Sequence, residues 1–171
     1  MSRELLKEFL NHLAKVNKTS YISFYHGITH WQHVEAFGLM MAEQCPAADK
    51  EVIRWFAYLH DSMRGSDGAE ISHGAAAAKF IRKIRNTFLK DLTDEQIRIL
   101  KLACKSHNVR HRTGDLTADI CLDADRLDLP RVGIKPEPRK MANKIGSEFA
   151  LILYDELLAR AGFGEEFKID F

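Results

Sequence analysis

The sequence predicts an all-α protein that forms one domain. Apolar residues recur at intervals of three and four along most of the chain, whereas runs of alternating apolar and polar residues are nearly absent. The 171 residues suffice for one hydrophobic core, and 46% hydrophobic with 29% charged residues is ordinary for a globular protein. We therefore expect residues 1–171 to fold as a single-domain helical bundle.

Three helices are predicted in the first third of the chain. The first presents an apolar face made of Leu5, Leu6, Phe9, Leu10 and Leu13. The second runs from about residue 30 to residue 41 and ends near Pro46, because proline disfavours helix in the residue before it. Asp49 is a good N-cap for the third helix, which ends at the pair His60 and Asp61.

Four further helices are predicted after the turn-rich residues 65–68. The fourth begins near His73 and contains four alanines at 75–78, whose small side chains favour a central position with close backbone contacts. Thr93 and Gln96 resemble a capping box that opens the fifth helix, which runs toward His107. A basic loop follows. The sixth helix is expected at about 118–129 and the last at about 147–159, while 162–171 carries too short a pattern to assign.

Charge and cysteine usage exclude several classes of protein. The 25 basic and 24 acidic residues leave a formal net charge of +1, so we expect no dedicated nucleic-acid surface and no binding to acidic membranes. Cys45, Cys104 and Cys121 are widely separated, which argues against disulfides and against a thiolate zinc cage. No stretch is apolar enough for a signal peptide or a membrane span, so we expect a cytoplasmic protein.

Histidine and aspartate residues are distributed along the chain at helix ends. The pair His60 and Asp61 follows an apolar helix, His30 lies upstream, and three further candidates lie downstream: His73, His107 and Asp125. Imidazole and carboxylate groups without thiolates favour a divalent ion such as Mn, Fe, Co, Ni, Zn or Mg. The sequence therefore predicts a site for one or two divalent ions between the helices, with Glu70, Asp123 or Asp128 as candidates to orient the imidazoles.

This ordered set resembles the HD-domain superfamily of metal-dependent phosphohydrolases, whose signature is a His, then a His-Asp pair, then a distant Asp on different helices. The resemblance spans about residues 21–131. It implies that the first ion is held by His30, His60, Asp61 and Asp125, and that His73 and His107 complete a second, with Asp61 bridging the two. His33 remains an alternative to His30, and Asp123 an alternative to Asp125.

The resemblance also implies an activity. Metal-activated water would hydrolyse a phosphomonoester or phosphodiester of a nucleotide or another small phosphorylated metabolite. Asp61 would act at the centre of the site, while Arg64 and Arg126 would stabilise the developing charge. Motifs of other enzyme classes, such as a phosphate-binding glycine loop or a nucleophile elbow, are absent from the sequence. Two alternatives stay open: a non-catalytic module of the HD type that binds a nucleotide or a partner, and a di-iron, oxygen-dependent enzyme on the same fold.

Overall fold

The computed structural model describes residues 1–163, and every regular element among them is helical. The prediction of an all-α protein is therefore confirmed. Residues 164–171, part of the segment that the sequence left unassigned, lie outside the described residues, and the assignment of 1–171 to one domain stays a prediction. The α-helices of the described part are α1 (Arg3–Val16), α2 (Lys18–Ile22), α3 (Ile28–Glu43), α4 (Lys50–Leu59), α5 (His73–Ile84), α6 (Asp94–Ser106), α7 (Leu116–Leu127), α8 (Lys144–Phe149) and α9 (Tyr154–Arg160).

Helix α4 lies at the centre of the molecule and packs against α3, α6 and α7. Its side chains from Trp55 to Leu59 are all buried, so the helix is apolar on nearly every side. Gly38 allows α3 to cross it closely, because a Cβ atom at this position would lie 2.5 Å from Cγ2 of Ile53. The hydrophobic core is thus built around the helix that leads to His60 and Asp61.

The predicted helix starts are confirmed by their caps. The side chain of Asp49 accepts hydrogen bonds from the backbone amides of Glu51 and Val52 at 2.9 and 3.1 Å, which fixes the start of α4. At α6, Thr93 and Gln96 form the reciprocal capping box, with distances of 3.2 and 2.8 Å. The apolar face of α1 is also present, with Phe9 and Leu13 fully buried.

Helix α2 was missed by the sequence pattern because it is only five residues long. It begins after Asn17, whose side-chain amide donates hydrogen bonds to the carbonyls of Ser62 and Arg64 at 3.1 and 2.8 Å. The hydroxyl of Ser20 donates a third, to the carbonyl of Arg64 at 2.9 Å. These bonds hold the turn after α4 that carries Asp61.

The single last helix predicted at about 147–159 is wrong, because α8 and α9 are separate. The chain between them is broken at Leu153, which is extended with φ −61° and ψ 141°. Leu151 and Leu153 are 74% and 76% exposed, so the apolar residues here do not form one continuous face. The start of α8 is instead fixed by Asp123, which accepts hydrogen bonds from the amides of Ala142 and Asn143. The sixth helix, α7, starts and ends two residues earlier than predicted.

The central position predicted for the alanine-rich helix is also wrong. Helix α5 packs mainly on α6 at the edge of the bundle, and Ala75 is exposed. The close approach occurs one residue earlier, at Gly74, where a Cβ atom would collide with the carbonyl oxygen of Cys104. This contact brings the start of α5 against the end of α6, and therefore His73 against His107.

All three cysteines are free thiols, as predicted: Cys104 and Cys121 are buried, and Cys45 is half-buried. Across residues 1–163, none of the helices combines the length and the apolar composition needed to cross a bilayer.

Candidate metal centre

The structure brings all six predicted ligand residues together from the ends of five helices. His30 lies in the first turn of α3, His60 and Asp61 directly follow α4, His73 opens α5, His107 follows α6, and Asp125 lies in the last turn of α7. Five of these side chains are almost fully buried, and that of Asp125 is 18% exposed. The six residues form two groups of three in which each group could hold one metal ion.

The first group consists of His30, His60 and Asp125. The Nε2 atoms of His30 and His60 lie 3.0 Å apart. Oδ1 of Asp125 lies 3.3 Å from the first of these nitrogens and 3.7 Å from the second. Two imidazole nitrogens and one carboxylate oxygen therefore converge on one point, and they come from three of the four residues that the resemblance implied for the first ion.

The second group consists of Asp61, His73 and His107. The Nε2 atoms of its two histidines lie 2.8 Å apart. Oδ1 of Asp61 lies 3.0 Å from Nε2 of His73 and 3.5 Å from Nε2 of His107. The chemistry of this group matches that of the first.

Asp61 connects the two groups. Its Oδ1 belongs to the second group, while its Oδ2 lies 3.8 Å from Nε2 of His30 and 3.7 Å from Nε2 of His60. Oδ1 is buried and, despite the nearby Nε2 of His73, receives no hydrogen bond of acceptable geometry from the described residues. A buried carboxylate oxygen without a donor is costly, so its environment fits a cation.

The hydrogen bonds of the other ring nitrogens explain why the Nε2 atoms face one another. Nδ1 of His60 contacts the carbonyls of Phe56 and Ala57 at 3.2 and 3.0 Å, and Nδ1 of His107 contacts the carbonyl of Cys104 at 2.8 Å. A carbonyl only accepts, so we assign the proton to Nδ1 in both rings, which leaves a lone pair on each Nε2. The lone pairs of two facing Nε2 atoms repel one another unless a cation lies between them. The residues present therefore fit a divalent metal ion in both groups.

Nδ1 of His73 contacts the backbone carbonyl of Glu70, and NH1 of Arg64 lies 3.1 Å from the same nitrogen. The carbonyl can only accept and the guanidinium can only donate, so these two neighbours of Nδ1 favour opposite tautomers. We assign the proton to Nδ1, as in His60 and His107, because Nε2 then presents its lone pair to the second group. Glu70, which the sequence offered as a carboxylate that orients an imidazole, acts here through its backbone.

Burial and the neighbouring carboxylates shift the pKa values of the buried groups in opposite directions. Burial lowers the pKa of His60 to about 3, so this imidazole is neutral at all physiological pH values. Burial also opposes protonation of His30 and His107, but the adjacent carboxylates of Asp125 and Asp61, respectively, favour the protonated ring, outweigh burial and raise the pKa of each. Asp61 has a pKa held well below its ordinary value, since the surrounding imidazoles outweigh the effect of burial.

Asp128 orients His30 from behind the first group. It is fully buried and accepts hydrogen bonds from Nδ1 of His30 at 2.7 Å, Nδ1 of His33 at 2.9 Å and the hydroxyl of Tyr154 at 2.5 Å. A carboxylate on the outer nitrogen of a ligating histidine fixes its tautomer and its direction. Asp128 thus takes the orienting position for which the sequence offered three candidates.

The two alternative ligands lie elsewhere. His33 is bound to Asp128 through Nδ1 and belongs to neither group. Asp123 is fully buried and accepts hydrogen bonds from the amides of Ala142 and Asn143 and from Arg126, so it neither joins a group nor orients an imidazole. Its position two residues before Asp125 places it on a different face of α7.

The two predicted catalytic arginines have different surroundings. NH1 of Arg64 lies 3.6 Å from Oδ1 of Asp61, and the side chain is buried beside the second group. Its NH2 group donates to the carbonyl of Gly68 at 2.6 Å. Arg126 donates instead to Asp123 at 3.1 Å and to the carbonyls of His111 and Arg110 at 3.0 and 2.7 Å. Its catalytic role stays a prediction.

His26 is a residue of the centre that the sequence pattern did not single out as important. Its Nδ1 lies 2.9 Å from Oδ2 of Asp61, and 16% of its side chain is exposed. Arg131 lies behind it, with NH2 3.4 Å from the same nitrogen and Nε donating to the carbonyl of Tyr25 at 2.6 Å. His26 precedes α3 in a turn, so no helical spacing relates it to His30, and the sequence carried no signal for its position.

Comparison with known proteins supports the same architecture. No protein-family model matches the sequence, and no curated protein matches it. A solved structure described as a predicted HD superfamily hydrolase from an uncultured Thermotogales bacterium is similar, with a TM-score of 0.67 and 23% identity. The match covers 92% of this chain and 89% of that chain. The chain therefore has the helical fold of an HD-domain protein, which confirms the fold that the sequence resemblance implied.

Proposed function

We propose that this protein is a metal-dependent phosphohydrolase of the HD type. The observation that carries the proposal is the pair of histidine and aspartate groups that share Asp61, with lone pairs facing each other inside both groups. Buried nitrogens and oxygens in this arrangement gain most when two cations neutralise them. The similar solved structure, described as a predicted hydrolase, supports hydrolysis as the reaction.

The residues divide into two sets of ligands. We propose that His30, His60 and Asp125 hold the first ion and that His73 and His107 hold the second, with Asp61 contributing one oxygen to each. Divalent ions so placed would lower the pKa of water and neutralise charge on both the attacking and the leaving oxygens of a phosphoester. The metal identity stays within the set that the ligand chemistry favours: Mn, Fe, Co, Ni, Zn or Mg.

Other features of the protein orient the ligand side chains and attract the substrate. Asp61 keeps both carboxylate oxygens anionic between the groups, because the imidazoles around it hold its pKa low. Asp128 fixes the direction of His30, and the carbonyl of Cys104 fixes that of His107. Arg64 places a fixed positive charge beside the second group, where it would attract the substrate anion.

The substrate we propose is a small phosphorylated molecule, such as a nucleotide or a phosphorylated metabolite, cleaved at a phosphomonoester or phosphodiester bond. We propose that it approaches at the side of Asp125 and His26, whose side chains are 18% and 16% exposed, whereas the imidazoles of the two groups are at most 4% exposed.

The test is reconstitution with metal followed by a substrate panel. Protein stripped with a chelator and reloaded with each candidate ion should release phosphate from a nucleoside phosphate or a sugar phosphate, or convert a cyclic nucleotide to the nucleoside monophosphate. His60→Ala should abolish turnover, whereas His111→Ala, a change of an exposed histidine, should retain it. Metal uptake without turnover on the whole panel, or equal turnover in the His60→Ala variant, would contradict the proposal.

A further inference from the structure

A basic groove lies between the outer faces of α5 and α6, on the side of these helices that faces away from the metal centre. Its volume is about 720 Å³. Six of the residues that line it are charged, and five of these are basic: Lys79, Arg82, Arg98, Lys101 and Lys105, against the single acid Asp94. The whole chain has a net charge of only +1, so the groove concentrates positive charge that the rest of the surface offsets.

The groove follows from the antiparallel pairing of α5 and α6. His73 meets His107 at one end of the pair, and Arg85 meets Asp94 at 3.2 Å at the other. The two helices therefore run side by side over their whole length of about 18 Å. Two of the alanines predicted to lie at the centre of the fold are on this outer face, where Ala75 and Ala78 line the groove. Their small side chains leave the space open.

The antiparallel register arranges the basic residues in facing pairs along the groove. Since position 73 pairs with 107 and position 85 with 94, Lys79 lies opposite Lys101 and Arg82 lies opposite Arg98, with Lys105 beyond them toward the metal centre. Successive basic residues on each helix are three or four positions apart, which is about 5 to 6 Å along a helix. The charges thus form a line with cations on both rims, and not a compact cluster.

Most of this charge has no ionic partner in the part of the chain that the structure describes. Among residues 1–163, no acidic side chain forms an ion pair with Lys79, Arg82, Lys101 or Lys105. The acid of the groove, Asp94, pairs with Arg85. A surface kept soluble by charge usually intersperses both signs, so four unpaired cations facing each other across one groove indicate an anionic occupant.

We propose that this groove binds single-stranded nucleic acid through its phosphate backbone. A linear series of cations on two rims matches a linear polyanion, whereas a compact anion would require them to converge on one point. The concave space accommodates a strand of a few nucleotides, and a duplex would touch only the rims. Among residues 1–163, no aromatic side chain lines the groove, so the groove offers bases no stacking platform and binding should be independent of base sequence. The proposal revises the expectation, drawn from the net charge, that no nucleic-acid surface exists.

The test is fluorescence anisotropy with a labelled oligouridylate of about 12 nucleotides. Chelator is present throughout, so the result does not depend on the metal centre or on hydrolysis. With four phosphate contacts, the logarithm of the binding constant should fall with the logarithm of salt concentration with a slope of about −2.8, which is about 50-fold between 50 and 200 mM. The double variant Lys79→Glu with Lys101→Glu should weaken binding about tenfold or more and flatten this slope.

A matched control separates local charge from total charge. Lys7 and Lys15 are exposed residues of α1, and replacing both by Glu changes the net charge of the protein by the same amount. Circular dichroism of both double variants verifies that they remain helical. Retained binding in the α1 variant with loss in the groove variant supports the proposal. Equal loss in both, no binding to the strand at low salt, or tighter binding of polyglutamate or of duplex than of the single strand would overturn it.

Discussion

Replacement of Asp128 by asparagine tests whether the first group of ligands is held in place from behind. Asp128 has a pKa lowered to about 2, since hydrogen bonds from His30 and His33 outweigh the opposing effect of burial, so it is a carboxylate at neutral pH. It accepts from three donors: Nδ1 of His30, Nδ1 of His33 and the hydroxyl of Tyr154. Asparagine offers one acceptor oxygen, and its NH₂ group would face at least one of these donors.

The expected size of the effect follows from this loss. A partner of this kind on a ligating histidine typically contributes 10- to 100-fold in metal affinity, or about 1.4 to 2.8 kcal/mol. Because Oδ2 of Asp128 binds His30 at 2.7 Å with no solvent access, we expect Asp128→Asn to lie toward the upper end of this range. Affinity at the second group, which Asp128 does not contact, should remain within about threefold.

The assay is calorimetric titration of chelator-treated protein with Mn²⁺ or Zn²⁺. Tyr154→Phe is the matched control, since it removes a hydrogen bond to Oδ1 of Asp128 and leaves the bond from His30 to Oδ2 intact. We expect it to cost about 1 kcal/mol of stability and to leave metal affinity nearly unchanged. If Asp128→Asn bound the first ion as tightly as the wild type, the proposed orienting role would be refuted.

Three further predictions concern the number of metal ions bound, the loop that Arg126 contacts and the pH dependence of stability. His73→Ala should reduce the bound metal from two ions to one in native mass spectrometry, and unchanged stoichiometry would remove the second group from the site. Arg126→Ala should lower the free energy of unfolding, measured in urea, by about 1 to 3 kcal/mol, because it removes hydrogen bonds to Asp123 and to two loop carbonyls. The metal content should not change. A variant as stable as the wild type would contradict this structural role. The pKa values of His30 and His107 are raised in the folded state, so these groups contribute stability below pH 6.5 that is lost as the pH rises through their folded-state values. Protein freed of metal by a chelator should therefore show a lower Tm at pH 8.5 than at pH 6.5. A flat or rising Tm would refute this.

Helix starts and the candidate ligand residues could be identified from the sequence because each depends on local chemistry. Asp49 and Thr93 cap helices through bonds to residues two or three positions away, so their spacing carries the signal. The ligand residues lie at helix ends, where an apolar run stops at a polar side chain. The resemblance to the HD superfamily supplied the order in which those ends meet, which the local patterns alone do not contain.

The parts that the sequence did not predict depend on contacts between distant segments. The break before α9 follows from the anchoring of α8 on Asp123, about 20 residues away. His26 reaches Asp61 only because the turn before α3 lies over the end of α4. The basic groove arises from the register of α5 and α6, so the balanced total charge concealed it. In each case the local sequence pattern was compatible with several arrangements, and tertiary packing selected one.

Anomalous diffraction from crystals soaked with Mn²⁺ or Zn²⁺ tests the central claim most directly. We expect two peaks about 3.5 to 4 Å apart on either side of Asp61, one among His30, His60 and Asp125 and the other between His73 and His107. Metal bound elsewhere on the protein, or no peak at either group in saturated crystals, would contradict it.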